Sequence, residues 1–156
     1  MNEMLGNQYF MARNYLGAAN AFQEVLKEDP SNINARKKLI IAFTQIGKFT
    51  QAVDLFTKFI SENIDSILET DPIKDDCPCP ELVHNLEHLT THGSVSFTTY
   101  ETLGVLWLYC DINKSIEYFN KALSLKPKDD IVNGILILLN KKLAQLSNKS
   151  KIQYPS

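Results

Sequence analysis

Apolar residues recur every three or four positions along most of the chain, which is the spacing that places them on one face of an α-helix. The pattern begins with one predicted helix over residues 2–13, a polar turn, and a second helix over residues 16–28. Pro30 ends the second helix, because proline lacks the amide hydrogen that the next helical turn needs. Ala18 and Ala21 lie on the inner stripe of the second helix, and small residues there let two helix axes approach to about 8–10 Å. The pattern therefore predicts a closely packed helical hairpin.

This hairpin is repeated. Five positions of the first copy recur at one constant interval, so that Leu5, Tyr9, Tyr15, Ala18 and Phe22 return as Leu39, Phe43, Phe49, Ala52 and Phe56. In the second copy we expect Ser31 to cap the first helix and Gly47 to form the turn between the helices. Ile64 stands where the first copy has Pro30, so the second helix of this copy is predicted to continue to about Glu69.

The period then breaks and later resumes. The segment DPIKDDCPCP holds three prolines and is predicted to be a loop. The helix that follows it has one apolar stripe, formed by Leu82, Leu86 and Leu89. The predicted array covers residues 1–147 and is followed by a polar tail over 148–156. Its repeats lie over about 1–30, 31–64 and 95–127. An inserted loop and helix over 70–93 separate the second repeat from the third, and a C-terminal helix over 129–147 follows the third.

A period of about 34 residues with a small residue between aromatics resembles that of the tetratricopeptide repeat (TPR) family. The first copy carries Leu5-Gly6, Tyr9, Ala18, Phe22 and Pro30 at that family's spacings. The resemblance implies an all-α fold: a right-handed α-solenoid of helix-turn-helix repeats with one inserted helix and a C-terminal capping helix. It also implies a non-catalytic scaffold for protein–protein interaction.

The resemblance further implies a binding groove, since the first helix of each TPR repeat lines a concave surface that holds a peptide or a partner helix. The positions carried over from the family as the groove are Asn7, Phe10, Met11, Lys37, Lys38, Ile41, Gln45, Glu101, Val105 and Tyr109, with Glu3 and Thr98 beside them. Phe10, Met11 and Val105 fit inter-helix core equally well. Chaperone-binding members clamp a C-terminal carboxylate, and Glu3 would repel that carboxylate where the clamp has a lysine. We therefore expect a different partner.

Two alternatives keep the fold but change the role. The helix over residues 129–146 is apolar on nearly every side, which would suit a homodimer interface. The chain begins inside a repeat, which would suit a docking or regulatory domain of a larger enzyme.

Composition narrows the class of protein. The net charge is −2 and the pI is about 5.9, which does not favour nucleic-acid binding. The longest apolar run has five residues and no signal peptide is evident, so we expect no membrane association and a cytoplasmic location. Glycine-rich phosphate loops and hydrolase or metalloprotease motifs are missing, so we expect no catalysis. The clusters Arg36-Lys37-Lys38 and Lys141-Lys142 are interpreted as solvated helix faces.

One cluster has metal-ligand residue types. His84, His88 and His92 follow one another at helical i, i+4 spacing after Cys77 and Cys79, and thiolate with imidazole suits zinc. No CxxC pair is present, so the favoured interpretation is histidines on a solvent face and no cofactor. A mutual bridge between the two cysteines is disfavoured by their spacing.

Overall fold

The computed structural model describes residues 2–91, 93 and 95–153, with side chains up to residue 149. This part of the chain is helical and has no strand, and its helices are α1 (Asn2–Met11), α2 (Tyr15–Glu28), α3 (Ile33–Gln45), α4 (Phe49–Leu68), α5 (Cys79–Thr90), α6 (Phe97–Trp107), α7 (Ile112–Leu125) and α8 (Asp130–Gln153). The prediction of an all-α chain built from helix-turn-helix repeats is confirmed. The helices form two compact units, Met1–Pro78 and Cys79–Ser156.

The first unit stacks two hairpins. Each of its helices packs on the next in the chain, and α1 also contacts α3 across the intervening hairpin partner. Phe22 and Phe56, which are equivalent positions of the two copies, are both fully buried. Stacking of this kind buries the apolar face that a single hairpin leaves open.

Polar side chains begin most of the helices. Asn14 Oδ1 accepts from Gly17 N at 2.9 Å, and Asn32 Oδ1 accepts from Ala35 N at 2.9 Å. The prediction of Ser31 as a cap is wrong by one residue, because its hydroxyl donates to Asp29 Oδ1 instead. Gly47 takes the predicted turn with a φ of 80°.

The end of each repeat has a common backbone conformation. Asp29 and Lys126 precede prolines and have φ/ψ values of −135°/80° and −137°/78°. Asn63 occupies the equivalent place in the second copy and is similarly non-helical, at −145°/44°, although Ile64 follows it instead of proline. The predicted extension of the helix beyond Ile64 is confirmed, but α4 is kinked where its repeat would otherwise end.

The second unit also packs its helices in chain order: α5 on α6, α6 on α7 and α7 on α8. The predicted inner stripe of α5 is wrong by about one residue, because Val83 is buried and Leu89 is 67% exposed. Glu87 explains the rotation, since its Oε1 accepts the indole N–H of Trp107 on α6 at 2.7 Å. This hydrogen bond turns the Val83–Glu87 side of α5 inward.

Helix α8 is longer than predicted. It runs to Gln153 through most of the segment that was predicted to be a polar tail, while residues 154–156 lie outside the described range. The sequence offers no proline or glycine between Gly134 and Pro155, so nothing in it interrupts the helix earlier. Four of its apolar residues are buried: Val132, Ile135, Leu136 and Leu139.

The cysteines also differ from expectation. Cys77 and Cys79 are both disulfide-bonded, whereas Cys110 is free and exposed. The prediction that their spacing disfavours a bridge is therefore wrong, because the backbone is not extended through both residues: Cys79 is already the first residue of α5.

Candidate partner-binding site

Polar side chains join the first helices of the two hairpins in the first unit. Asn34 Nδ2 donates to Glu3 Oε1 and to Asn7 Oδ1, both at 3.1 Å. Asn32 Nδ2 donates to the other oxygen of Glu3 at 2.9 Å, and Lys38 Nζ donates to Asn7 Oδ1 at 3.0 Å. These bonds fix α1 beside α3, and Glu3, Asn7, Met11, Lys37 and Lys38 together are called here the first-helix face.

Phe10 lies beneath this face. The ring is fully buried and meets Tyr15 and Phe22 edge-on, with centroids 5.9 and 6.5 Å apart. Lys38 Nζ lies 5.4 Å from the Phe10 ring centroid, on the side towards α3. The prediction that Phe10 lines a groove is wrong, because Gly6 and Phe10 are the buried residues of α1.

Three further predicted groove residues are core residues. Ile41, Val105 and Tyr109 are no more than 2% exposed. The reason is that a helix stacked between neighbours is covered on more than one side, so the family's groove positions fall partly inside. The remaining candidates are accessible: Asn7, Lys37, Lys38 and Glu101 are half-buried, Gln45 is exposed and Met11 is 63% exposed.

The basic cluster Arg36-Lys37-Lys38 is divided between two environments. Arg36 is only 5% exposed; its guanidinium pairs with Glu62 Oε2 at 2.9 Å and lies 4.7 Å from the Phe59 ring centroid. The prediction of a solvated face is therefore wrong for Arg36, which points towards α4. Lys37 and Lys38 belong to the opposite side, on the first-helix face.

The two lysines are partly desolvated. Burial lowers the pKa of Lys37 and of Lys38, because a desolvated ammonium is disfavoured in its charged form. Asp75 raises the pKa of both groups and Asp76 raises that of Lys38. Carboxylates of the segment 71–76 (DPIKDD) thus act on this face, although nothing in the periodicity of the sequence indicates it.

That segment, called here the aspartate loop, is folded on itself. Asp75 N donates to Asp71 O at 2.9 Å, and Asp71 N donates to Asp75 Oδ2 at 2.8 Å. Asp76 Oδ2 lies 3.7 Å from Arg13 Nη1, at the turn after α1. The contacts place the loop beside the turn between α1 and α2, within the same unit as the first-helix face.

A depression lies between α2, α3 and α4 of the first unit. Its cavity volume is about 560 Å³, and it is lined by Gln23, Leu26, Lys27, Leu39, Phe43, Gln51, Asp54, Leu55 and Lys58. The floor is apolar and the rim carries charges of both signs. It is an alternative place for a partner.

The described candidates among the predicted metal ligands do not form a cluster of three. His84 and His88 are exposed on α5, as expected, and His92 lies outside the described residues. Within the described part of the chain, no three His, Cys, Asp or Glu side chains are close enough to share an ion. Zinc binding by Cys77 and Cys79 would first require their reduction, because the thiolate is the ligand. A zinc site stays a prediction.

None of the described helices has the length and apolar character needed to cross a membrane.

Comparison with known proteins gives a likeness of fold. No family model matches the chain, and no curated protein matches it. The first TPR domain of the human RPAP3 protein is similar over 94% of this chain and 93% of its own, with 16% identity and a TM-score of 0.40. The first TPR of Spaghetti (RPAP3), bound to the HSP90 peptide SRMEEVD, covers 92% and 90% at 14% identity and a TM-score of 0.36. The MamA protein covers 99% and 94% at 21% identity and a TM-score of 0.38.

Proposed function

We propose that the chain is a non-catalytic scaffold that holds a peptide, or a helix of a partner protein, against α1 and α3. Lys38 carries this proposal. The side chain of Lys38 is half-buried. Its ammonium donates one of its three N–H groups to Asn7 and lies over the Phe10 ring. A partly desolvated cation held in place by neighbours gains more from an incoming acceptor than a mobile surface lysine does.

The surroundings of Lys38 suit a peptide. Met11 offers an exposed flexible apolar side chain, a residue type that adapts to varied partners. Asn7 Nδ2 offers donors, since Asn7 Oδ1 already accepts from Asn34 and Lys38, and the Gln45 amide offers an acceptor for an extended backbone. An apolar anchor flanked by polar groups is the usual composition of a peptide-binding surface.

A display experiment tests the proposal with random peptides as the probe. The peptides are selected on the full chain and then measured on Lys38→Glu and on Lys58→Glu, which reverses the charge of an exposed residue of α4 beside the depression. We expect at least tenfold weaker binding to Lys38→Glu and little change with Lys58→Glu. Selected peptides that lose more affinity with Lys58→Glu than with Lys38→Glu would place the working surface in the depression lined by Leu26, Leu55 and Lys58. Equal binding to both variants would place it on neither surface.

The absence of catalysis is part of the proposal. The sequence carries no phosphate-binding glycine loop and no nucleophile motif, and the carboxylate of Glu3 on the first-helix face is engaged in structural hydrogen bonds. The same face would serve equally if the chain is a docking or regulatory domain of a larger enzyme.

Self-association through residues 129–146 is a second candidate. Ile131, Ile137 and Leu146 of α8 remain 45%, 68% and 39% exposed. At 100° per residue they do not share one face, whereas a helix pair needs a continuous stripe. Light scattering across a range of concentrations separates the possibilities: a dimer that Ile137→Glu dissolves would support this candidate.

A further inference from the structure

We propose that the aspartate loop is a built-in competitor for the first-helix face, and that the partner bound there is an acidic segment which takes the place of Asp75 and Asp76. This inference rests on the proposed function and names the chemistry of the partner and the control of the site. It follows from where the loop lies, how it is held and which charges its carboxylates act on.

The loop is held by an ion pair between two residues of unusual backbone conformation. Arg13 has a φ of 61° and Asp76 a φ of 48°, and among the described residues they are the non-glycine residues with positive φ. This conformation costs energy for residues that carry a β-carbon. Gly47 is the counterpart of Arg13 in the second copy and has a φ of 80°, so the second hairpin has there the residue that the backbone favours.

At this strained turn, the Arg13 side chain makes two contacts that a glycine could not make. Its Nη1 lies 3.7 Å from Asp76 Oδ2 and donates to Phe10 O at 3.3 Å. The first hairpin thus carries, at a position that favours glycine, a cation that meets the aspartate loop. This contact ties the loop to the end of α1.

The aspartate loop and the residues near it carry opposite charges. Arg13, Lys37 and Lys38 are the cations, and Asp75 and Asp76 are the loop carboxylates that act on them. Glu3 also acts on Lys38, and Glu69 acts on Lys37. Without Asp75 and Asp76, three cations would face two carboxylates, so the uncovered surface would favour an acidic partner over a basic one.

The aspartate loop is held weakly. A competitor must be held weakly, because it has to leave the face when the partner binds. Asp76 Oδ2 is buried yet accepts no hydrogen bond from the described residues, and the ion pair to Arg13 is long. Partly exposed ion pairs of this kind contribute about 0–1 kcal/mol each. Two backbone hydrogen bonds close the turn within the loop, from Asp75 N to Asp71 O and from Cys77 N to Pro72 O. Because these bonds are internal, the loop can leave the face without unfolding.

The test compares two charge-matched variants of the full chain. Asp75→Asn with Asp76→Asn removes the carboxylates but keeps an oxygen for Asp71 N and a residue type that tolerates positive φ. The control, Asp71→Asn with Asp54→Asn, removes as much charge from the loop's own turn and from an exposed residue of α4. The probe is the free heptapeptide TDPIKDD, which copies residues 70–76, titrated into isotopically labelled protein and followed by NMR.

We expect the Asp75/Asp76 variant to bind TDPIKDD about threefold to tenfold more tightly than the unmodified chain and the control, because a tethered competitor acts at an effective concentration in the millimolar range. Adding Lys38→Glu should remove the gain, and TDPIKNN should bind none of the proteins. The difference should also shrink in high salt.

Equal affinity of TDPIKDD for the unmodified chain and the variant would overturn the inference, and so would no binding to either or equal binding of TDPIKNN. The proposed function is judged separately, by whether display-selected peptides lose affinity with Lys38→Glu. If they do while the loop variants behave alike, the face binds partners and the loop does not regulate it.

Discussion

Gly6 lies directly against the ring of Phe22: a β-carbon on Gly6 would stand 2.7 Å from Phe22 Cε1. The third repeat has the same relationship, with Gly104 facing Phe119 at 2.8 Å. Both phenylalanines are fully buried, so their rings have little room to withdraw. In these two hairpins, glycine is required because an aromatic ring occupies the space of a side chain.

Gly6→Ala should therefore destabilise the chain by about 1–3 kcal/mol through overpacking. Gly134→Ala is the matched control, because nothing lies within 4 Å of a β-carbon built there. It should instead stabilise α8 by about 0.5–1 kcal/mol through the better helix propensity of alanine. Urea unfolding followed by circular dichroism measures both, and equal effects would contradict the packing argument.

Ser115 offers a prediction about a buried hydrogen bond. Its Oγ donates to Gly104 O at 2.6 Å in a fully buried position where the earlier copies have Ala18 and Ala52. Ser115→Ala should fit sterically and cost about 1 kcal/mol for the lost bond. Ser124→Ala, at an exposed site, should change the unfolding free energy little; a similar loss in both would mean that the bond to Gly104 contributes nothing specific.

The docking of α5 on α6 can be followed optically. Trp107 is the single tryptophan of the chain, and its indole N–H donates to Glu87 Oε1 at 2.7 Å. Glu87→Ala should shift the fluorescence emission to longer wavelength, because loosening α5 lets water reach the indole. Glu87→Gln keeps an acceptor oxygen and should shift it less. An unchanged spectrum in Glu87→Ala would show that this bond does not hold α5 in place.

Tyr118 predicts how stability changes at alkaline pH. Burial, with the neighbouring Glu87 carboxylate, raises the pKa of Tyr118 from 10.0 to about 12. Because the folded state then holds its proton more tightly than the unfolded state, the contribution to stability is complete below pH 10 and is lost as the pH rises towards 12. Tyr118→Phe should flatten this fall between pH 10 and pH 12 in urea unfolding; an equally steep fall would assign it to other groups.

Much of the fold could be predicted from the period of the repeat, because the period carries the aromatic and small apolar positions, such as Phe22 and Phe56, from one copy to the next. The inward faces of α1 and α5 could not. In α1 the inner stripe includes Gly6, and in α5 it includes Glu87. A hydrophobic pattern identifies neither glycine nor glutamate as an inward-facing residue. The stripe predicted for α5 was therefore about one residue out of register.

Less of the candidate site could be predicted. Asn7 and Lys38 are half-buried and stay candidates, whereas Phe10 and Val105 are core residues. The pairing of Arg13 with Asp76 joins residues far apart in the chain and depends on two left-handed backbone conformations, which leave no periodic signal in a single sequence. Such contacts become visible only in three dimensions.

The most direct measurement is the location of a bound peptide on the full chain. A display-selected peptide is titrated into isotopically labelled protein, and the backbone shifts are mapped. We expect the largest shifts along α1 and α3, around Asn7, Met11 and Lys38, with further shifts at Asp75 and Asp76 as the loop is displaced. Shifts centred on Leu26 and Leu55, or on α8, would contradict the assignment of the first-helix face as the binding surface.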